Sequence, residues 1–176
     1  MKNYIYLIII FTNLAFGQNQ GERTSNLLSI NVLTPSIEWE VPLGEKSTFD
    51  LKIGTAIGFT RSGNNTEVGF FPEFETQYRY YYNFQKRLAK DKRIKDNSGN
   101  YLLFLGSLRS GNSIIGEMEI DDNFAGFVGP GWGFQRVYKS GFKLNFNTGI
   151  GYGANDRGDF YFAPFIGVQL GWVIAR

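Results

Sequence analysis

Glu73 and Glu75 stand two residues apart in a stretch that alternates apolar and polar residues, so their carboxyls share one face. Such a pair can divide acid and base work between its members. Nothing beside it in sequence supports that chemistry. The chain has no His and no Cys, which excludes an imidazole base, a Ser-His relay, His-ligated zinc and any disulfide. We therefore assign no catalytic, cofactor-binding or metal-ligating residue. The same alternation gathers Glu38, Glu40, Asp50, Lys52, Glu73, Glu75, Arg79 and Lys143 on inward faces. There they are expected to interlock as a structural plug, because a charge stripped of its partner inside a protein costs about 3–5 kcal/mol. A formal net charge of +2 gives no reason to expect nucleic acid as a partner.

The elements that must hold these groups are strands. From Thr48 to Thr60 the alternation is unbroken, with Phe49, Leu51, Ile53, Ile57 and Phe59 on one face and Asp50, Lys52, Gly54, Ala56 and Gly58 on the other. Soluble strands average about 5–6 residues, whereas a tilted strand crossing a bilayer needs about 9–11, so the length points to a membrane. Segments of this kind begin near Asn26, Ile37, Thr48, Phe70, Tyr101, Phe124, Phe142 and Phe160. Their number, about eight and even, predicts an all-β fold: an antiparallel transmembrane β-barrel with a lumen just wide enough for side chains to fill. Tyr101 to Leu108 is apolar on both faces, and period alone does not orient it. Glycines such as 129, 131, 133, 149, 151 and 153 recur at every second residue, a strand period unlike Gly-x-Gly-x-x-Gly, and make room for longer inward chains.

With both termini on the inner side, Arg61–Gly69, Ser110–Asn123 and Ala154–Asp159 are read as outer loops, and Pro42–Lys46 and Tyr138–Gly141 as inner turns. Tyr78, Tyr80, Tyr82, Tyr138, Phe142 and Trp172 fall near inner strand ends and form an expected aromatic girdle, with Phe59, Phe70 and Tyr152 near the outer ends. The inner connection 85–100 is long and carries Lys86, Arg87, Lys90, Lys92, Arg93 and Lys95. It is expected as a solvated basic turn or short helix, with Leu88, Ala89 and Ile94 on one face and phospholipid headgroups as the alternative partner. Glu117, Glu119, Asp121 and Asp122 crowd an outer loop and lack the spacing of a calcium loop.

At the N-terminus, Lys2, the apolar run Tyr4 to Phe11, and Ala15-Phe16-Gly17 read as a signal peptide for the Sec pathway, cleaved after Gly17. The division is then 1–17 signal, 18–25 N-terminal extension and 26–176 outer-membrane barrel. No other segment suits a spanning helix.

These features, together with Pro35-Ser36-Ile37-Glu38-Trp39-Glu40, Pro42-Leu43-Gly44-Glu45, Tyr78-Arg79-Tyr80-Tyr81-Tyr82-Asn83 and Asn97-Ser98-Gly99-Asn100-Tyr101, resemble the small outer-membrane β-barrel proteins of Bacteroidota, broadly similar to OmpX-type barrels. The resemblance implies an outer-membrane location, with lipids, lipopolysaccharide and the barrel-assembly machinery as partners. It implies no catalytic residues. One departure is that such barrels commonly finish on an aromatic residue, whereas this chain reads Trp172-Val173-Ile174-Ala175-Arg176. The expected role is structural or surface interaction with an unassigned ligand. Two alternatives stand beside it. One is a lipid A- or phospholipid-modifying barrel enzyme, resembling the lipid A palmitoyltransferase, with a lateral gap at Pro130 or Pro164 where a bulge is otherwise expected. The other is a soluble lipocalin-like carrier with the apolar faces turned inward.

Overall fold

Period-two alternation becomes sheet along about two thirds of the described residues. The computed structural model describes residues 23–176 other than 63, 64, 117 and 119, so the expected signal peptide lies outside the described residues, as do 18–22 of the extension. The strands are β1 (Leu27–Asn31), β2 (Ser36–Pro42), β3 (Ser47–Ser62), β4 (Asn65–Tyr80), β5 (Asn100–Ser110), β6 (Ile115–Gly116), β7 (Phe124–Val137), β8 (Phe142–Asn155) and β9 (Phe160–Ala175), with one helix, α1 (Phe84–Leu88). They form one antiparallel sheet of nine strands in the order β3-β2-β1-β9-β8-β7-β5-β4-β6, and a further β3–β4 pairing closes it in a ring. Among the described residues β6 pairs only with β4, at Gly69 and Phe70, and stands outside the circuit completed by the other strands.

The alternation sorts side chains as the sequence implies. Ile53, Phe104 and Ile166 point outward and are 68%, 55% and 73% exposed, while Asp50, Arg79 and Lys143 are buried inside the ring. β5 is now oriented: Tyr101, Leu103 and Leu105 face in, and Leu102, Phe104 and Leu108 face out. Its period was ambiguous because this sector of the interior is itself apolar, with Tyr101, Leu103 and Leu105 packed among Tyr81, Phe84 and Ile94.

Three expectations require correction. Of the expected loop 61–69, Arg61 and Ser62 continue β3 and residues 65–69 belong to β4, because pairing runs through Arg61↔Thr66 to Ser62↔Asn65; a continuous ladder outweighs the weak strand preference of Ser, Gly and Asn. The connection 85–100 contains a helix of only five residues, and its buried member is Phe84, while Leu88 and Ala89 are exposed and Ile94 is buried beyond the helix. Nor do the two prolines mark bulges. At Pro130 the β7–β8 ladder lapses between Val128↔Tyr152 and Gly131↔Gly149 without a change of register, and β8–β9 runs through Ile150↔Pro164 unbroken.

The ring is uneven in height. β3, β4 and β9 are 16 residues long, β7 and β8 are 14, and β5 is 11, but β1 has five and β2 has seven. β2 leaves β3 at Ser36↔Gly54, and β1 leaves β9 at Asn31↔Gly171. Above the β1–β2 turn, β3 and β9 have no strand between them among the described residues, and the wall carries a notch. The Val32 N–H donates to the Leu170 carbonyl, which turns the backbone groups of even-numbered β9 residues, Pro164 included, toward this side. Pro164 therefore sits where it has no N–H to leave unpaired.

Candidate functional site

The interior of the ring is a polar network built from one face of each strand. Arg79 of β4 lies 3.1 Å from Asp50 of β3 and 3.4 and 3.7 Å from Glu38 and Glu40 of β2. Lys143 of β8 reaches Glu38 at 2.6 Å. Glu40 also accepts from the Tyr81 hydroxyl at 2.7 Å, the Thr48 hydroxyl at 2.8 Å and the Gln135 amide at 2.9 Å. Arg79 Nε donates to Gln77 at 2.8 Å, and the Gln77 amide donates to Glu75 at 2.7 Å. Glu75 in turn holds Lys52 at 3.0 Å, with Glu73 at 3.6 Å. All eight charged residues picked out by sequence therefore join one network. Such groups tolerate burial because each has a partner.

Gln77, Gln135, Tyr81, Tyr101 and Asn145 belong to it as well, and a charge-based search passes over them. Parity finds four of them, since Asn145 shares the inward face of Lys143 and only Tyr101 lies on the strand whose period is ambiguous. Gln77 and Tyr81 share the inward face of Glu75 and Arg79, and Gln135 extends the inward glycines of β7. Tyr101 donates to Asn145 at 2.9 Å while Arg79 lies over its ring at 5.1 Å. Glu73 and Glu75 share Lys52, and Ser107 of β5 stands opposite Glu75.

One end of the ring is closed by the connection after β4. Phe84 stacks on Tyr81, with ring centroids 4.9 Å apart, and Ile94, Asp96, Asn97, Ser98 and Gly99 are buried. Asn97 mimics a strand partner: its Oδ1 accepts the Ser25 N–H at 2.6 Å and its Nδ2 donates to the Ser25 carbonyl at 2.8 Å. Asp96 and Asn97 both have positive φ, which these two residue types tolerate better than most. Burial works against the Asp96 carboxylate, but hydrogen bonds from Arg176 and Arg93 outweigh it and hold the group below the usual carboxylate range. Of the basic residues, Lys86, Lys90, Lys92 and Lys95 are exposed. Arg87 instead caps the Arg93 carbonyl at 2.8 Å, so two of the arginines serve the local fold.

On the outer surface Tyr138, Phe142 and Trp172 form a continuous run, with centroids 5.8 and 5.5 Å apart. Tyr82 accepts from the Trp132 indole at 2.9 Å, and Tyr78 and Tyr80 are exposed beside Phe49 and Ser47 of β3. Glu117 and Glu119 lie outside the described residues. Asp121 pairs with Arg157 at 3.1 Å, while Asp122 is buried 3.7 Å from Arg109, so these two acids face different partners. Among the described residues no three acidic side chains gather as a metal site. No described helix is long and apolar enough to cross a membrane, which says nothing of crossing by strands. Compared with protein-family models, curated proteins and solved structures, the chain matches none.

Proposed function

We propose that the chain is an outer-membrane β-barrel protein whose inner half is plugged, with a structural or surface-interaction role. One observation carries the reading: the long strands bury most of their charged and amide side chains in the ring and present their large apolar ones outward, with Arg61, Glu67 and the half-buried Arg136 among the exceptions. In water that sorting leaves Ile53, Ile57, Phe59, Phe104, Phe162 and Ile166 uncovered, while in hydrocarbon it is the arrangement of lowest free energy. The exposed aromatic run Tyr138–Phe142–Trp172 supports an interfacial girdle. The same sorting counts against the carrier alternative, which needs an apolar interior and a charged exterior. Export, cleavage after Gly17 and delivery by the barrel-assembly machinery belong to this reading.

The plug has two layers, the Arg79 network and the cover formed by residues 93–99. Planar-bilayer recording of the refolded protein tests it. The reading predicts no steady conductance, and stable channels would overturn the plug. The enzymatic alternative is weaker, because the acids nearest the notch are committed to Lys52.

A further inference from the structure

We infer that the notch between β3 and β9 is a lateral binding site for a single-chain amphiphile with an apolar tail and a small uncharged head that both donates and accepts hydrogen bonds. The inference rests on the membrane reading only for the source of that ligand. A cavity of about 660 Å³ opens here, within the range of small-molecule sites. Its mouth is mostly apolar, with Leu33 beside Thr34 on the β1–β2 turn, Ile57 beside Thr55 on β3, and Ile166 and Val168 on β9. Further in it meets Phe127 and Phe165, which pack edge to face at 5.8 Å, and then the upper part of the polar network.

The polar end is built for a ligand in a specific sense. Asn147 and Gln169, both lining this cavity, are 1% and 3% exposed. Asn147 Nδ2 and Gln169 Oε1 nevertheless have no hydrogen-bond partner among the described residues; both atoms are closed to the cavity as it stands, and a head engages this donor and this acceptor once the two amides turn toward it. Leaving such groups unpaired is costly, and a head with a carbonyl and a hydroxyl or amide N–H satisfies both. Charge selects further. Lys52 is held by Glu73 and Glu75, and Arg109 by Asp122, leaving no surplus positive charge for a phosphate or fatty carboxylate. The rim suits entry from the side. With Pro164 on the open edge, β9 presents one fewer unpaired N–H there, and unpaired strand backbone is tolerated at membrane depth where it borders a cavity.

The test is photolabelling with a monoacylglycerol carrying a diazirine in its tail, in vesicles and in parallel in detergent solution. Because the chain has no cysteine, Ile57→Cys with Ile166→Cys places unique thiols on the two rims, which a reducible bis-maleimide can bridge. The inference predicts labelling at Phe127 or Phe165, loss on bridging, and recovery in the same sample on reduction. A matched fatty acid should compete poorly. In Asn147→Leu with Gln169→Leu, labelling should fall about tenfold, the worth of one or two hydrogen bonds. Migration of the folded form should be unchanged. Label confined to Ile53 and Phe104, or indifferent to bridging, would overturn the inference. Failure to enter vesicles with notch labelling intact in detergent would refute the membrane reading and support the notch.

Discussion

Lys143 Nζ stands 2.6 Å from Glu38 Oε2, a contact between β8 and β2, which are separated around the ring by β9 and β1. Only a narrow interior filled by side chains allows an ion pair to skip two strands. The pair thus measures how small the ring is and fixes its opposite walls.

Around Arg79 and Lys143 stand three carboxylates, Glu38, Glu40 and Asp50. Glu38→Gln removes the one acid that touches both cations and should lower stability by about 3 kcal/mol, since it strands a buried charge. Asp50→Asn keeps an oxygen toward Arg79 and relieves the excess of acid, and should fall within about 1 kcal/mol of the parent. Urea titration of the folded form in detergent checks the contrast, and equal losses would contradict it.

Asn97→Ala deletes both bonds to Ser25 and puts a residue ill suited to positive φ at this position. The cost should be about 2 kcal/mol and local, loosening residues 93–99 before the ring opens. Hydrogen exchange at the Ser98 amide, bonded to the Ile94 carbonyl at 3.0 Å, reports it.

The same segment should respond to acid. Asp96 titrates below its unfolded value, so its contribution is fully present above about pH 4, the ordinary carboxylate value, and is lost as pH falls through the lowered folded value. Protection of the Ser98 amide should therefore fall in acid below pH ~4, and Asp96→Asn should abolish that dependence. Identical profiles for the two proteins would count against the Arg176–Asp96–Arg93 clamp.

Gly133 lies beneath the Tyr101 ring, and a Cβ there would come within 2.6 Å of the ring and 2.7 Å of the Phe146 carbonyl. Gly133→Val should cost about 1–3 kcal/mol or prevent closure. At Gly106 an added Cβ finds nothing nearer than 3.5 Å, and Gly106→Ala should be silent by the same urea titration.

Much of this was legible in the sequence because a strand's period of two is a local property. Asp50, Lys52, Glu75 and Arg79 announce their inward direction by parity alone. Pairing partners are not local, and so nothing in Asn31 or Leu33 says that the β1–β2 hairpin stops short of its neighbours. The notch follows from where two ladders end, at Gly54 and Gly171. Asn147 could be placed inward by parity, but its unpaired amide is a fact of packing. The arginines of the basic connection misled for a related reason, since Arg87 and Arg93 look like surface charge until the backbone folds back to meet them.

The measurement that bears most directly on the account is the state of the purified protein with and without an apolar phase. Hydrocarbon wetting of Ile53, Phe104 and Ile166 predicts a heat-modifiable folded form in vesicles or detergent and none in plain buffer. A monodisperse, folded protein in buffer alone would contradict it.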